Sequence, residues 1–132
     1  MRISARTEHS VRALLDLCYI EGTASLRAIS LANSLPLGHI EYLIKILRKA
    51  KIVSGNPGAK GGYKLDKSPS DITLFDIIKA VEEDIDVYDS KHDPSMPYYC
   101  KFEQVWNNIS LQVVDYYKKI TLEDIYDKVK EK

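Results

Sequence analysis

The stretch PLGHIEYLIKILRKAK, residues 36–51, decides the fold that this sequence predicts. Its apolar residues recur at spacings of three and four, which places them in one stripe along a helix. The opposite side is polar and mostly basic. The stripe consists of Ile40, Leu43, Ile44 and Leu47, and the outer side carries His39, Glu41, Tyr42, Lys45, Arg48 and Lys49. One side of this helix therefore suits a protein core, and the other is available to a partner.

A second helical run, SLRAISLANS at residues 25–34, comes just before this helix. Leu35 and Pro36 alone join the two runs, so the connection must be a tight turn. A short helix, a tight turn and a longer helix with basic residues outward are typical of a helix-turn-helix. The residues that we expect the shorter helix to bury are Leu26, Ile29 and Ala32.

The residues after the longer helix predict a β-hairpin. Two short extended runs, residues 52–54 and 63–65, flank the loop GNPGAKGG, which is rich in glycine and proline. Lys60 lies at the tip of this loop. A helix-turn-helix followed by a basic hairpin is a winged helix. In that arrangement the helix fits the major groove of DNA, and the wing follows the backbone or enters the minor groove.

Three further helices are predicted around this unit. The first is capped by Ser4 or Thr7 and runs to about Glu21, where Gly22 ends it. Capping-box spacings, in which an acidic residue follows a threonine by three, open helices at Thr73 and Thr121. The residues expected to face inward are Val11, Leu14, Leu15 and Cys18 in the first helix, Leu74, Ile77, Ile78 and Val81 in the next, which ends near Glu82, and Ile125 and Val129 in the last.

Residues 83–99 are predicted to form a loop, because they contain two prolines, four aspartates and no periodicity. So long an irregular segment in a small domain is more often functional than not. A long helix follows from Lys101, and its apolar stripe is longer than one small domain can cover. A second subunit is therefore expected to cover it. The stripe comprises Phe102, Val105, Trp106, Ile109, Val113, Tyr116, Tyr117 and Ile120.

The length of 132 residues indicates one domain with a modest core. Net charge is zero, but residues 1–70 carry 11 lysines and arginines against 5 aspartates and glutamates, and residues 71–132 carry 8 against 14. This asymmetry favours a basic half that binds a polyanion. Two cysteines make no disulfide framework, and no apolar run could form a signal sequence or cross a bilayer. We therefore expect a cytoplasmic protein that has no membrane partner.

The sequence has no nucleophile elbow, no phosphate-cradling loop before a helix and no histidine pair with metal-ligand spacing, so an enzyme is not expected. The alternative to DNA binding is a winged-helix module that binds another protein through its acidic half. Charged faces and glycine-rich hairpins also occur without a function. The coincidence of the basic half with the helix-turn-helix favours DNA binding.

Fragments along nearly the whole chain resemble the Rrf2 family of bacterial transcription regulators. The matching fragments are MRISART, VRALLDL, SLRAIS, IEYLIKILRKAKIV, KGGYKL, ITLFDIIKAVE, VWNNI and ITLEDI, in that order. The resemblance implies a dimer with crossed long helices, usually a repressor, that binds a pseudo-palindromic site on double-stranded DNA. The residues that it and the charge pattern assign to DNA binding are Arg2, Arg6, His39, Glu41, Tyr42, Lys45, Arg48, Lys49 and Lys60.

The resemblance gives Glu41 a base-reading role, as the acceptor of a hydrogen bond from cytosine N4. The family's operator does not carry over, because Pro36 and Gly38 stand where relatives often have serines. In the wing, Pro57 replaces an arginine that relatives often aim at the minor groove, and Lys60 is the nearest substitute.

The sensor of the family is only partly matched. Many members hold an iron–sulfur cluster on three cysteines before the long helix, but only Cys100 stands there in this sequence, and Glu103 replaces a nearby histidine. A cluster held by Cys100, Glu8 of the other subunit and His92, with His9 as a further donor, is one hypothesis. In the other, Cys100 is a lone thiol or a packed residue, and the protein senses a small molecule or a partner protein.

These observations together predict a mainly α protein. It contains a winged helix-turn-helix with a two-stranded β-wing and a long C-terminal dimerisation helix. We divide it into a DNA-binding domain at residues 1–82, a sensor loop at residues 83–99, and the dimerisation and C-terminal helices at residues 100–132.

Overall fold

The computed structural model describes residues 3–20, 22–58, 61–82 and 99–131, without the side chains of residues 99 and 100. Within these ranges the chain forms six α-helices and one two-stranded antiparallel sheet. The predicted mainly α, winged helix-turn-helix fold is confirmed. Its elements are α1 Ala5–Tyr19, α2 Leu26–Asn33, α3 Leu37–Lys49, β1 Val53–Asn56, β2 Gly62–Leu65, a 3₁₀ turn Pro69–Asp71, α4 Leu74–Val81, α5 Tyr99–Lys119 and α6 Leu122–Lys130.

Hydroxyl side chains begin α1 and α2. Ser4, not Thr7, caps α1, and its oxygen accepts a hydrogen bond from the Thr7 backbone N–H at 3.3 Å. Ser25 accepts from the Ala28 N–H at 3.1 Å. Such bonds satisfy donors that have no partner inside the helix.

Both predicted capping boxes are present. Thr73 accepts from the backbone N–H of Asp76 at 3.1 Å, and the Asp76 carboxylate accepts from the Thr73 N–H at 3.0 Å. Thr121 and Asp124 repeat these two bonds at the start of α6. α5 ends at Lys119, just before this second capping box.

The inner side of α3 lies at the centre of the core. The side chains of Ile40, Leu43, Ile44 and Leu47 are at most 1% exposed, which confirms the predicted stripe. They pack with buried residues of α1, α4 and the wing. Because Leu122 of α6 is fully buried in the same cluster, the C-terminal helix also packs onto this core.

The wing is short and is joined to the segment before α2. β1 pairs with β2 in the register Val53↔Leu65 to Asn56↔Gly62. The backbones of Ala24 and Tyr63 exchange two hydrogen bonds of 2.8 Å. Tyr63 is only 6% exposed, so the base of the wing belongs to the core.

The structure corrects the prediction for α2. Ala32 is exposed, and Asn33 is buried instead. The side-chain amide of Asn33 donates to the Asp16 carboxylate and, at 2.9 Å, to the backbone carbonyl of Ile29. The Arg12 guanidinium donates to the backbone carbonyl of Asn33 at 2.8 Å. These bonds let a polar residue occupy the place expected for alanine.

The helix ends and the last turn also differ from the prediction. α1 ends at Tyr19, before the expected Glu21, which lies outside the described residues. α5 begins at Tyr99, two residues before the expected Lys101. Val129 was expected to face inward but is 54% exposed, because the contacts of α6 with the core come from its first turns, around the fully buried Leu122.

Candidate nucleic-acid interface

The outer side of α3 presents most of the predicted DNA-binding residues to solvent. Glu41, Lys45, Arg48 and Lys49 are exposed, and Tyr42 is 47% exposed. Because the buried side of the same helix is fixed in the core, the backbone that carries these side chains is held firmly. A rigid helix with polar and cationic side chains outward can enter a major groove.

A cavity of about 260 Å³ lies between this helix, the start of α2 and the wing. Glu41 lines it from α3, Arg27 from α2 and Pro57 from the wing. Arg27 is exposed and was not predicted as a site residue, although its place in the first turn of α2 could have indicated it. The structure therefore brings a cation, a carboxylate and the wing to one groove.

His39 is the exception on the outer side of α3. It is half-buried, and its Nε2 lies 2.9 Å from Nδ1 of His9 in α1. The two rings meet edge to face, with centroids 5.1 Å apart. His39 is therefore held against α1. No spacing along the chain signals this contact, because the two residues lie on different helices.

Arg6 is held by the end of α4. Its guanidinium lies 3.7 Å from the Glu82 carboxylate, which also accepts hydrogen bonds from the Ser4 hydroxyl and, at 2.8 Å, from the Thr7 hydroxyl. Glu82 is the last described residue before the predicted sensor loop, so these contacts connect the start of α1 to the end of α4. Arg2 and Lys60, the remaining predicted DNA contacts, lie outside the described residues.

The apolar stripe of α5 divides into two parts in the structure. Val113, Tyr117 and Ile120 are half-buried by other residues of the same chain. The other members of the predicted stripe are exposed. They are Phe102, Val105, Trp106, Ile109 and Tyr116, with exposed fractions from 37% to 63%.

The structure does not bring the predicted cluster ligands together within the described residues. Glu8 is exposed in the first turn of α1, whereas His92, residues 83–98 of the predicted loop and the Cys100 side chain lie outside the described part. Tyr99, the last residue of the predicted loop, belongs to α5 instead. Within that part no three histidine, cysteine or acidic residues group as metal ligands. Burial raises the pKa of the half-buried Cys18 thiol to about 11, so it stays protonated at neutral pH, as suits the packed residue expected from the sequence.

A helix-turn-helix with an exposed second helix, together with a wing beside it, defines a winged-helix DNA-binding protein. The Rrf2 family, described as an iron-dependent transcriptional regulator, matches residues 3–128, and the chain belongs to this family. Its members are transcriptional regulators and not enzymes, so the prediction that this chain is not an enzyme is confirmed by its family.

Individual relatives agree with this assignment. The chain is 30% identical to the HTH-type transcriptional regulator IscR of Photobacterium profundum over 95% of this chain and 75% of that protein. The structure of CymR, the global cysteine regulator of B. subtilis, has a TM-score of 0.80 at 28% identity and covers 97% of this chain and 98% of its own. That of T. potens IscR has a TM-score of 0.77 at 32% identity and covers 99% and 90%. This chain is therefore a DNA-binding transcriptional regulator.

Among the described helices, none combines the length and apolar content needed to cross a membrane.

Proposed function

We propose that this chain is a homodimeric repressor that reads a pseudo-palindromic operator with two α3 helices. The observation that carries the proposal is that Glu41, Lys45 and Arg48 are exposed on a helix whose opposite side is buried in the core. A two-fold dimer would place the two helices about one turn of DNA, or a small multiple, apart. A repressor then acts by occupying the operator.

Contacts to bases and to phosphates would come from different residues. Glu41 and Tyr42 would face base edges, and Arg27 would join them from the same groove. His39, which the sequence also assigned to base contacts, is held against His9 of α1 and would not take part. Lys45, Arg48 and Lys49 would bind phosphates, together with Lys60 and Arg2. Arg6 would exchange Glu82 for a phosphate when DNA binds. Phosphate contacts supply affinity, and base contacts supply sequence preference.

The dimer would form through α5. This helix has 21 residues, so it is about 30 Å long at a rise of about 1.5 Å per residue. Its exposed side carries Phe102, Val105, Trp106, Ile109 and Tyr116. Exposed apolar surface of this extent is typical of a protein interface. We therefore propose that residues 1–82 bind DNA, that residues 83–99 form the sensor loop and that residues 100–132 form the dimerisation part.

Glu41→Ala should change sequence preference more than overall affinity, because its carboxylate would accept from a base. Loss of such a base contact costs about 1–3 kcal/mol on the preferred site. Lys45→Ala should weaken binding to operator and random duplex alike and lower the slope of log affinity against log salt by about 1. Fluorescence anisotropy at several salt concentrations measures both effects.

Lys101→Ala is the matched control, because Lys101 is an exposed lysine on α5, away from the reading helix. It should leave both duplexes bound as in the wild type. Equal losses on operator and random duplex for Glu41→Ala and Lys45→Ala would contradict the division of roles. A nearly flat salt dependence of the wild type would instead favour a module that binds another protein.

The side chains available as cluster ligands indicate what kind of signal controls the proposed repressor. Clusters select thiolates, and Cys100 is the only thiol at the position of the family's ligands. Carboxylate and imidazole donors such as Glu8 and His92 are a poor substitute. We therefore favour a signal other than a cluster, from a small molecule or a protein partner. CymR is named for cysteine regulation, so a cysteine-derived metabolite is the first class to test.

Anaerobic reconstitution of the reduced protein with iron and sulfide should accordingly produce no stable visible absorbance. Desalting followed by a spectrum, with iron and sulfide assays, measures this. A visible band with stoichiometric sulfide that Cys100→Ser abolishes and Cys18→Ser keeps would instead establish a cluster on Cys100.

A further inference from the structure

His9 and His39 form an imidazole pair that the proposed DNA contacts do not explain. They come from α1 and α3, lie far apart in the sequence and are both half-buried. Nδ1 of His9 and Nε2 of His39 face each other at 2.9 Å. A single hydrogen bond satisfies this distance, with the shared proton on one of the two nitrogens.

The same separation fits two ligands of one metal ion. Imidazole nitrogens bind divalent transition metals at about 2.0–2.1 Å, so two nitrogens in neighbouring positions about 90° apart are separated by about 2.9 Å. The two nitrogens here are 2.9 Å apart. Tetrahedral coordination would need a separation of about 3.3 Å, which a small rotation of either ring supplies, so the pair can bind an ion of either geometry.

We propose that His9 and His39 bind one divalent transition-metal ion between α1 and the DNA-reading helix. Each ring would use the nitrogen that now faces the other ring and carry its proton on its second nitrogen, so the shared proton is relocated and none need be released. The described residues add no third histidine, cysteine or acidic ligand, so water completes the coordination. This site does not use Cys100, the thiol of the cluster hypothesis.

The position of this site gives it a structural consequence. α1 and α3 contact each other in the core, and the pair adds a link between them at its edge. A metal ion that binds only the folded protein raises its stability according to its concentration over its dissociation constant. Stability in the presence of the ion therefore reports on binding without any assay of DNA binding.

The test uses the full chain without an affinity tag and NiCl₂ as the probe. Millimolar Ni²⁺ should raise the melting temperature of the wild type by several degrees, and equal Mg²⁺ should leave it unchanged. His9→Gln and His39→Gln should each abolish the Ni²⁺ shift. His92→Gln, which removes the third histidine of the chain, is the matched control and should keep the shift.

A second measurement covers the case in which a variant fails to fold. In proton NMR spectra of the wild type, substoichiometric Ni²⁺ should broaden the ring resonances of His9 and His39 before those of His92. An absent melting shift in the wild type, a shift that survives in both His9→Gln and His39→Gln, or first broadening at His92 would each overturn the proposal.

Discussion

Val105→Glu is expected to convert the proposed dimer into monomers at micromolar concentration and to lower operator affinity by at least about a hundredfold. Val105 is 55% exposed in the single subunit, so the new carboxylate remains solvated there and the monomer keeps its fold. In the proposed dimer each carboxylate would be buried against an apolar partner helix, which costs several kcal/mol. Losing the second reading helix removes an avidity factor of about 10²–10⁴.

Gln104→Glu provides the matched control for this prediction. It adds the same charge one residue earlier, also at an exposed position of α5 but outside the apolar stripe. Sedimentation velocity should show a dimer for Gln104→Glu and a monomer for Val105→Glu. Melting curves should show that both variants fold. If Val105→Glu sediments and binds operator as the wild type does, α5 is not the dimer interface.

Gly55→Ala is expected to lower the free energy of unfolding by at least about 2 kcal/mol, because it disrupts the pairing of the two strands of the wing. The Gly55 backbone has φ +142°, and a Cβ there would lie 2.0 Å from the carbonyl oxygen of Gly62. Positive φ costs a side-chain-bearing residue about 1–3 kcal/mol, and the overlap with the paired strand adds to this. Since Tyr63 of that strand is buried in the core, the disruption reaches beyond the wing.

Gly58→Ala separates these two causes. Gly58 also has a positive φ, of +113°, but an added Cβ would meet no atom of the described residues within 4 Å. Urea denaturation of both variants should show a smaller loss for Gly58→Ala, with the difference due to the overlap at Gly55. Equal losses in the two variants would mean that the β1–β2 contact does not limit the substitution.

The helix-turn-helix and the wing could be predicted because their signals are local. The period of Ile40, Leu43 and Ile44 places them on one face whatever surrounds the helix, and these residues are buried. Thr73 and Thr121 begin helices through bonds to residues three positions away. Such features depend only on the identity and spacing of a few neighbouring residues, and the sequence states both.

The parts that could not be predicted depend on contacts between distant segments. Asn33 is buried in place of Ala32 because Asp16 and Arg12 of another helix hydrogen-bond it. The pairing of His9 with His39 likewise follows from the crossing of α1 and α3. Neither contact leaves a spacing signal along the chain, so only the assembled fold reveals it.

The division of the α5 stripe has the same origin. Periodicity placed Val113 and Tyr117 in one stripe with Val105 because all are apolar and recur at helical spacing. The structure half-buries the first two within the subunit and leaves Val105 open. Sequence spacing identifies an apolar face but not which neighbour covers each part of it.

The three contacts of Glu82 make one carboxylate the common anchor for the beginning of the chain and for the end of α4. Any force that draws residue 82 away from the core must release the Ser4 and Thr7 hydroxyls and the Arg6 guanidinium together. A freed guanidinium is attracted to a nearby phosphate, so the segment after α4 and a bound duplex would compete for the same positive charge.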